Sequence, residues 1–203
     1  MHALLTRLIP VALCAPLALA SGSVMAQKDV PAATPGAAAA HAAHSAPNGP
    51  RPGAPLVEKV RQATARYRDI RVALAEGWVQ ATPCVSGPIQ GAMGVHYALP
   101  ARIGDGILNA EQPELLIYEP LPGGRMRLVG VEFITLADIW HEANPDAGAP
   151  SLEGHLLNHV GQPNRYGLPA FYEIHVWAWE HNPLGSFADF NTRVSCDHQP
   201  LTG

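Results

Sequence analysis

The chain has no surplus of positive charge: 13 lysines and arginines stand against 17 aspartates and glutamates. That balance supplies neither the basic stripe that neutralises a phosphate backbone nor the polybasic patch that holds an anionic membrane, so nucleic acid is excluded as an expected partner. Several common chemistries also lack their sequence marks. No serine sits in a nucleophile elbow, and no phosphate loop is present. His141-Glu142 is not followed by a second histidine at the spacing a zinc-protease helix needs. There is no internal repeat. Beyond residue 20 no apolar stretch is long enough for a membrane span of roughly 20 residues, so stable membrane insertion of the mature chain is not expected.

What is present begins with an export pattern. Residues 1–26 have the layout of a cleavable signal peptide: a short basic start with Arg7, an apolar run over 8–20, and small residues at Val24 and Ala26. Cleavage is expected after Ala26, with Ala20 as the second choice, which places the mature protein in the periplasm or outside the cell. A lipid-modified Cys14 would need a small residue before it, and Leu13 is not small. The mature chain then keeps two cysteines, Cys84 and Cys196, in an oxidising compartment, and a disulfide between them is expected. Closing a loop of about 110 residues is nominally worth about 4 to 5 kcal/mol. The alternative is two buried free thiols.

Residues 27–55 are almost wholly Ala, Pro, Gly, His and Ser. They offer too little large apolar surface to offset their own ordering entropy, and a disordered tether is expected. His41 and His44 within it have no rigid frame on which to hold a metal. A single globular domain is expected over 56–203. It opens with apolar residues at spacings of three and four, Val60, Ala63, Thr64, Tyr67, Ile70 and Leu74, which predict one long helix over 57–77 ending at Gly77. The glycines of 87–94 predict a loop where the backbone approaches something closely. Strands are predicted over 94–99, 114–119, 126–135 and 171–181, the middle two joined as a hairpin through Pro122-Gly-Gly124. A short helix is expected over 151–159, and irregular loops over 136–150 and 182–203. The fold class is therefore α+β: one long N-terminal helix packed on a mainly antiparallel sheet of about four or five strands with long irregular loops.

Side chains alternate across a strand, so parity sorts each strand into two faces. His96 then shares a face with Gly94 and Ala98. Glu132 shares one with Leu128, Gly130 and Ile134, and His175 shares one with Glu173, Trp177, Trp179 and His181. If these faces coincide, two imidazoles and a carboxylate converge in a pocket, a donor set suited to zinc, copper or iron with a fourth position left open. The same groups also fit a hydrogen-bonded core in which Glu132 pairs with a histidine or Arg127 and no ion binds. His155 and His159 fall one turn apart on the expected helix, a spacing that can chelate a metal or complete the sheet site, or else form an exposed polar face. Trp177 and Trp179 fit packing, or a platform for a carbohydrate or cation. Asp189 and Asn191 are expected to tie their loop to its own amides.

Taken together, Ala63-Thr-Ala-Arg-Tyr-Arg-Asp69 with Gly77-Trp78, Gly91-Ala-Met-Gly-Val-His-Tyr97, Pro113-Glu-Leu-Leu-Ile-Tyr-Glu119, Val129-Gly-Val-Glu-Phe133, His175-Val-Trp-Ala-Trp179, Asn182-Pro and Val194-Ser-Cys196 resemble a family of exported bacterial proteins with no settled activity. The resemblance spans nearly the whole expected domain. It implies that His96, Glu132, His175, Cys84 and Cys196 lie within the family's characteristic strings, and it assigns no reaction. The function expected from the sequence is an exported protein that binds a divalent metal or a small ligand in a sheet pocket, with catalysis left open. The rival is a non-catalytic envelope or secreted interaction protein.

Overall fold

The computed structural model describes residues 54–199. The expected signal peptide at 1–26 and nearly all of the expected tether, with His41 and His44, lie outside the described residues. Among those residues no helix is long and apolar enough to cross a membrane.

The amphipathic opening buries Val60 and Tyr67 as expected, but it is not one rod, and Leu74 of the expected stripe is 50% exposed. Helix α1 (Pro55–Thr64) starts on a proline at its first position and buries Leu56, Val57 and Val60. A 3-10 turn (Ala65–Arg68) follows, and α2 (Ile70–Ala75) begins anew with Asp69 capping the amide of Arg71. The single long helix is thus replaced by three short pieces. The physical reason is tertiary: the Tyr67 carbonyl accepts the Tyr118 hydroxyl at 2.7 Å, and Asp69 adopts an extended conformation. Gly77 does take the left-handed conformation, φ 88°, just past the end of α2.

A mixed set of helices and an antiparallel sheet makes the fold α+β. After two short strands, β1 (Val79–Gln80) and β2 (Val85–Ser86), come β3 (Ala92–Ala98), helix α3 (Pro100–Ile103), β4 (Leu115–Leu121) and β5 (Arg125–Leu136). Helix α4 (Ala137–Ala143) then occupies part of the segment expected to be irregular. It is followed by β6 (Ser151–Leu152), β7 (His155–Leu156), β8 (Asn158–Val160) and β9 (Phe171–Val176). Among the described residues the main sheet runs in the order β1-β3-β4-β5-β9-β8, with β2 also pairing with β3. The expected helix over 151–159 is overturned: β6 and β7 form a small hairpin, with Glu153 at φ 49° and Gly154 at φ 84° in the turn between them. Two consecutive residues at positive φ make a tight hairpin turn that no helix can contain.

Helices α1, α2 and α4 cover one face of the sheet, while Ile103 of α3 packs on the other. Leu56, Val60, Tyr67 and Trp78 pack on the first face with Val95, Leu116, Tyr118, Phe133, Ile174 and Val176. The other face carries Ala92, Ile117, Val129 and Trp177 in one cluster and Ala98, Leu115, Ile134 and Phe171 in another. Parity fails at one point. Ile117 pairs with Gly130 but Tyr118 with Leu128, so Val129 is an extra residue in β5. That bulge turns Leu128 into the helix-side core and Val129 to the opposite face. Strand β9 ends at Val176, five residues earlier than expected, and Trp179 swings to the helix side, where its indole N–H donates to Thr64. Trp177 stays on the opposite face and donates to the Ala188 carbonyl. Both indoles are therefore packing residues with satisfied N–H groups.

Cys84 and Cys196 are joined as a disulfide, with Cα atoms 5.6 Å apart. The C-terminal segment that ends there lies along the face opposite α1, α2 and α4. Asn191 exchanges two backbone hydrogen bonds with Ala92. A Cβ on Gly91 would sit 2.1 Å from the Asn191 carbonyl oxygen, so the close approach anticipated for the glycine loop is to this segment.

Candidate metal centre

His96, Glu132 and His175 come from β3, β5 and β9 and converge on the face opposite α1, α2 and α4. Glu132 and His175 are direct cross-strand partners. His96 lies three strands from His175, about 14 Å on a flat sheet, so contact between their rings requires the sheet to curl toward this face. The bulge at Val129 and the glycine at position 94, φ 112°, favour such bending. All three side chains are buried, and each offers a ligand atom within 4.8 Å of the others. His96 Nε2 is 3.4 Å from His175 Nε2 and 3.4 Å from a Glu132 carboxylate oxygen.

The outward nitrogens are held in turn. His175 Nδ1 lies 3.0 Å from Glu173 and 3.8 Å from Asp189. Asn158 of β8 donates to the other Glu173 oxygen at 3.2 Å. His96 Nδ1 lies 3.0 Å from the Thr82 hydroxyl, which also accepts the His96 backbone N–H at 3.3 Å. With both Nδ1 atoms engaged by a carboxylate and a hydroxyl, both Nε2 atoms face inward, His96 presenting a lone pair and His175 doing so once its Nε2 proton is released.

Electrostatics divides the imidazoles. Burial, with the charge of His175 adding to it, holds His96 down at about 3, so it stays neutral. Burial also opposes a charge on His175, but Glu132, Glu173 and Asp189 outweigh it and raise this ring to about 9. Burial pushes Glu132 up to about 7, with Glu173 and Asp189 adding to the rise and His175 opposing it. Among the described residues, Glu132, Glu173 and Asp189 form no ion pair with lysine or arginine. The Arg127 guanidinium, one partner considered for Glu132, instead binds Glu119 and Glu180.

Beside His96 and Glu132 opens a cavity of about 370 Å³, lined also by Leu115, Ile134, Phe171, Arg165 and Tyr166. The other candidate ligands lie elsewhere. His155, on β7, stacks against Phe187 with ring centroids 4.0 Å apart, and exposed His159, on β8, packs on Tyr172. Neither belongs to a metal-competent group among the described residues. Losing the helix removed the spacing that had put them on one side. Asp189 does not serve its own loop but faces His175, while Asn191 does accept the Arg193 amide as expected. Thr82, Asn158, Arg165 and Tyr166 had not been anticipated. Glu173 alone carried a signal, its place two residues before His175 on the same strand face.

No family model matches the chain, and neither a curated protein nor a solved structure does.

Proposed function

We propose that this protein is an exported metalloprotein holding one divalent transition ion through His96 Nε2, His175 Nε2 and the Glu132 carboxylate, next to a small-molecule cavity. The observation that carries the reading is the spacing of the donors. Ligand bonds of about 2.0 to 2.1 Å at a tetrahedral angle hold donor atoms about 3.3 to 3.4 Å apart, and both inward contacts of His96 are 3.4 Å. A direct N–H···N bond normally closes to about 3.0 Å. The buried carboxylates of Glu132 and Glu173, which have no lysine or arginine partner among the described residues, add support, since buried negative charge calls for a compensating cation. Two imidazoles and one carboxylate suit zinc, copper or iron.

Three protein donors leave one position for an outside donor, and the cavity beside His96 and Glu132 gives it access. An ion so held supplies Lewis acidity or an activated water. Export is supported by the pattern of residues 1–26 and by the disulfide, which persists in oxidising compartments.

The test is metal analysis of the purified protein. Stoichiometric zinc, copper or iron, lost in His96→Ala and in His175→Ala, is the expected result. Metal-free protein whose melting temperature does not rise on adding these ions leaves the rival, a hydrogen-bonded polar core in a non-catalytic envelope or secreted protein. One consideration favours that rival: the neighbouring carboxylates raise His175 to about 9, and the imidazolium so favoured offsets part of the local negative charge without a metal.

A further inference from the structure

We propose that the cavity beside this centre receives a small organic carboxylate on an apolar body, with its carboxylate paired to Arg165 and Tyr166 at the rim. The inference rests on the metal reading only for what the inner end of the ligand meets.

The cavity's volume of about 370 Å³ lies in the lower part of the range for small-molecule sites. Its middle is apolar, formed by Leu115, Ile134 and Phe171, so an occupant needs an apolar body to displace water with gain. Its polar groups are sorted by charge. At the inner end stands Glu132, with Glu173 and Asp189 behind it around His175. At the solvent-exposed end stands Arg165, an exposed lining residue that forms no ion pair among the described residues and has the Tyr166 ring beneath its guanidinium, 5.9 Å from the centroid.

Tyr166 strengthens the assignment. Its hydroxyl has the Met93 thioether, 3.6 Å away, as its partner, and sulfur is a weak acceptor that an oxyanion readily replaces. A guanidinium and a phenol on successive residues lining one cavity make a two-donor anchor for a carboxylate. The sorting also sets the direction of binding. A negative group driven inward would meet Glu132, and a positive group at the rim would meet Arg165. The carboxylate therefore stays at the rim, and the apolar body reaches toward His96 and Glu132.

The experiment is calorimetric titration of the full mature chain, metal-stripped and zinc-loaded, with phenylacetate, its neutral amide phenylacetamide, and inorganic phosphate. The expected result is saturable one-to-one binding of phenylacetate, with the amide and phosphate each weaker by about tenfold or more. Arg165→Gln should erase the preference for acid over amide, and this exposed side chain can be changed without touching the core. Tyr166→Phe should reduce the preference by a smaller factor. Equal affinity for acid and amide, tighter binding of phosphate than of phenylacetate, or an acid preference that survives Arg165→Gln overturns the proposal, as does the lack of saturable binding in both metal states. The two readings fail separately. Stoichiometric zinc with no acid preference removes the carboxylate and leaves the centre, whereas an Arg165-dependent preference in protein that never takes up metal removes the centre and leaves the anchor.

Discussion

Glu173 touches no inward-facing atom of the centre, yet it sets the state of His175, because its carboxylate takes the Nδ1 proton and fixes the ring with Nε2 inward. Removing its charge while keeping its shape should weaken metal binding. Glu173→Gln is expected to lower zinc affinity by about 10- to 100-fold, measured by competition with a chromophoric chelator, and unchanged affinity counts against the orientation ascribed to His175. Glu114 is a separate case. It is 1% exposed, its carboxylate accepts the Ile134 amide at 3.0 Å, and burial pushes it up to about 8. A carboxyl group whose folded pKa lies above its unfolded value binds its proton more tightly in the folded state. Its contribution is complete below about 4.5 and is lost as pH rises through about 8. The parent protein should lose on the order of a few kcal/mol from this group between pH 5 and pH 8.5. Glu114→Gln keeps the acceptor for Ile134 and should flatten that part of the profile in urea titrations. A variant with the parent's full pH slope excludes Glu114 as the source.

At the scale of elements, the strands were legible and the helix only partly so. The four predicted strands correspond to β3, β4, β5 and β9; buried on both faces, they read as short apolar and β-branched runs bounded by glycine and proline. The apolar stripe of 57–77 held at Val60 and Tyr67, which are buried, and failed past the break, where Leu74 is 50% exposed and Ala73 is buried instead. Spacing alone does not mark such a break, which moves the buried position from Leu74 to Ala73. Whether the backbone continues was decided at Tyr67, whose carbonyl is taken by Tyr118 from 51 residues away. Position 91 is a similar meeting of remote segments: at φ 83° and with backbone atoms of Asn191 and Thr192 within 2.6 Å of an added Cβ, it has no room for a side chain. Gly91→Ala should cost more than about 2 kcal/mol, read from the urea midpoint. A shift within error would mean that the C-terminal segment does not lie against β3 as described.

At the scale of the whole molecule, the Cys84–Cys196 disulfide ties the C-terminal segment to the rim of the cavity, which Cys84 itself helps to line. That segment brings Asp189 to His175 and the Ala188 carbonyl to Trp177, so the fastening and the site share one piece of chain. With a sequence separation of 112 residues, opening the bridge should destabilise the fold by up to about 4 to 5 kcal/mol. The double variant Cys84→Ser with Cys196→Ser should therefore melt well below the parent and gain no further sensitivity to reductant. Equal melting temperatures for the oxidised parent and the variant would show that the bridge carries no stability.

The primary structure alone determined the quantities that depend on near neighbours or on composition: the acidic charge balance, the four long strands, the apolar spacing at the start of the domain, and the parity of His96, Glu132 and His175 within their own strands. Tertiary structure alone decided what depends on residues far apart in the chain. Whether the three faces coincide, the bulge at Val129, the break at Tyr67, the hairpin that disperses His155 and His159, and the approach of Thr82 and Asp189 to the centre all belong there. Periodicity reports which way a side chain points relative to its own strand. How far a sheet curls, and which loop closes over it, is set by packing among segments that a local pattern cannot see.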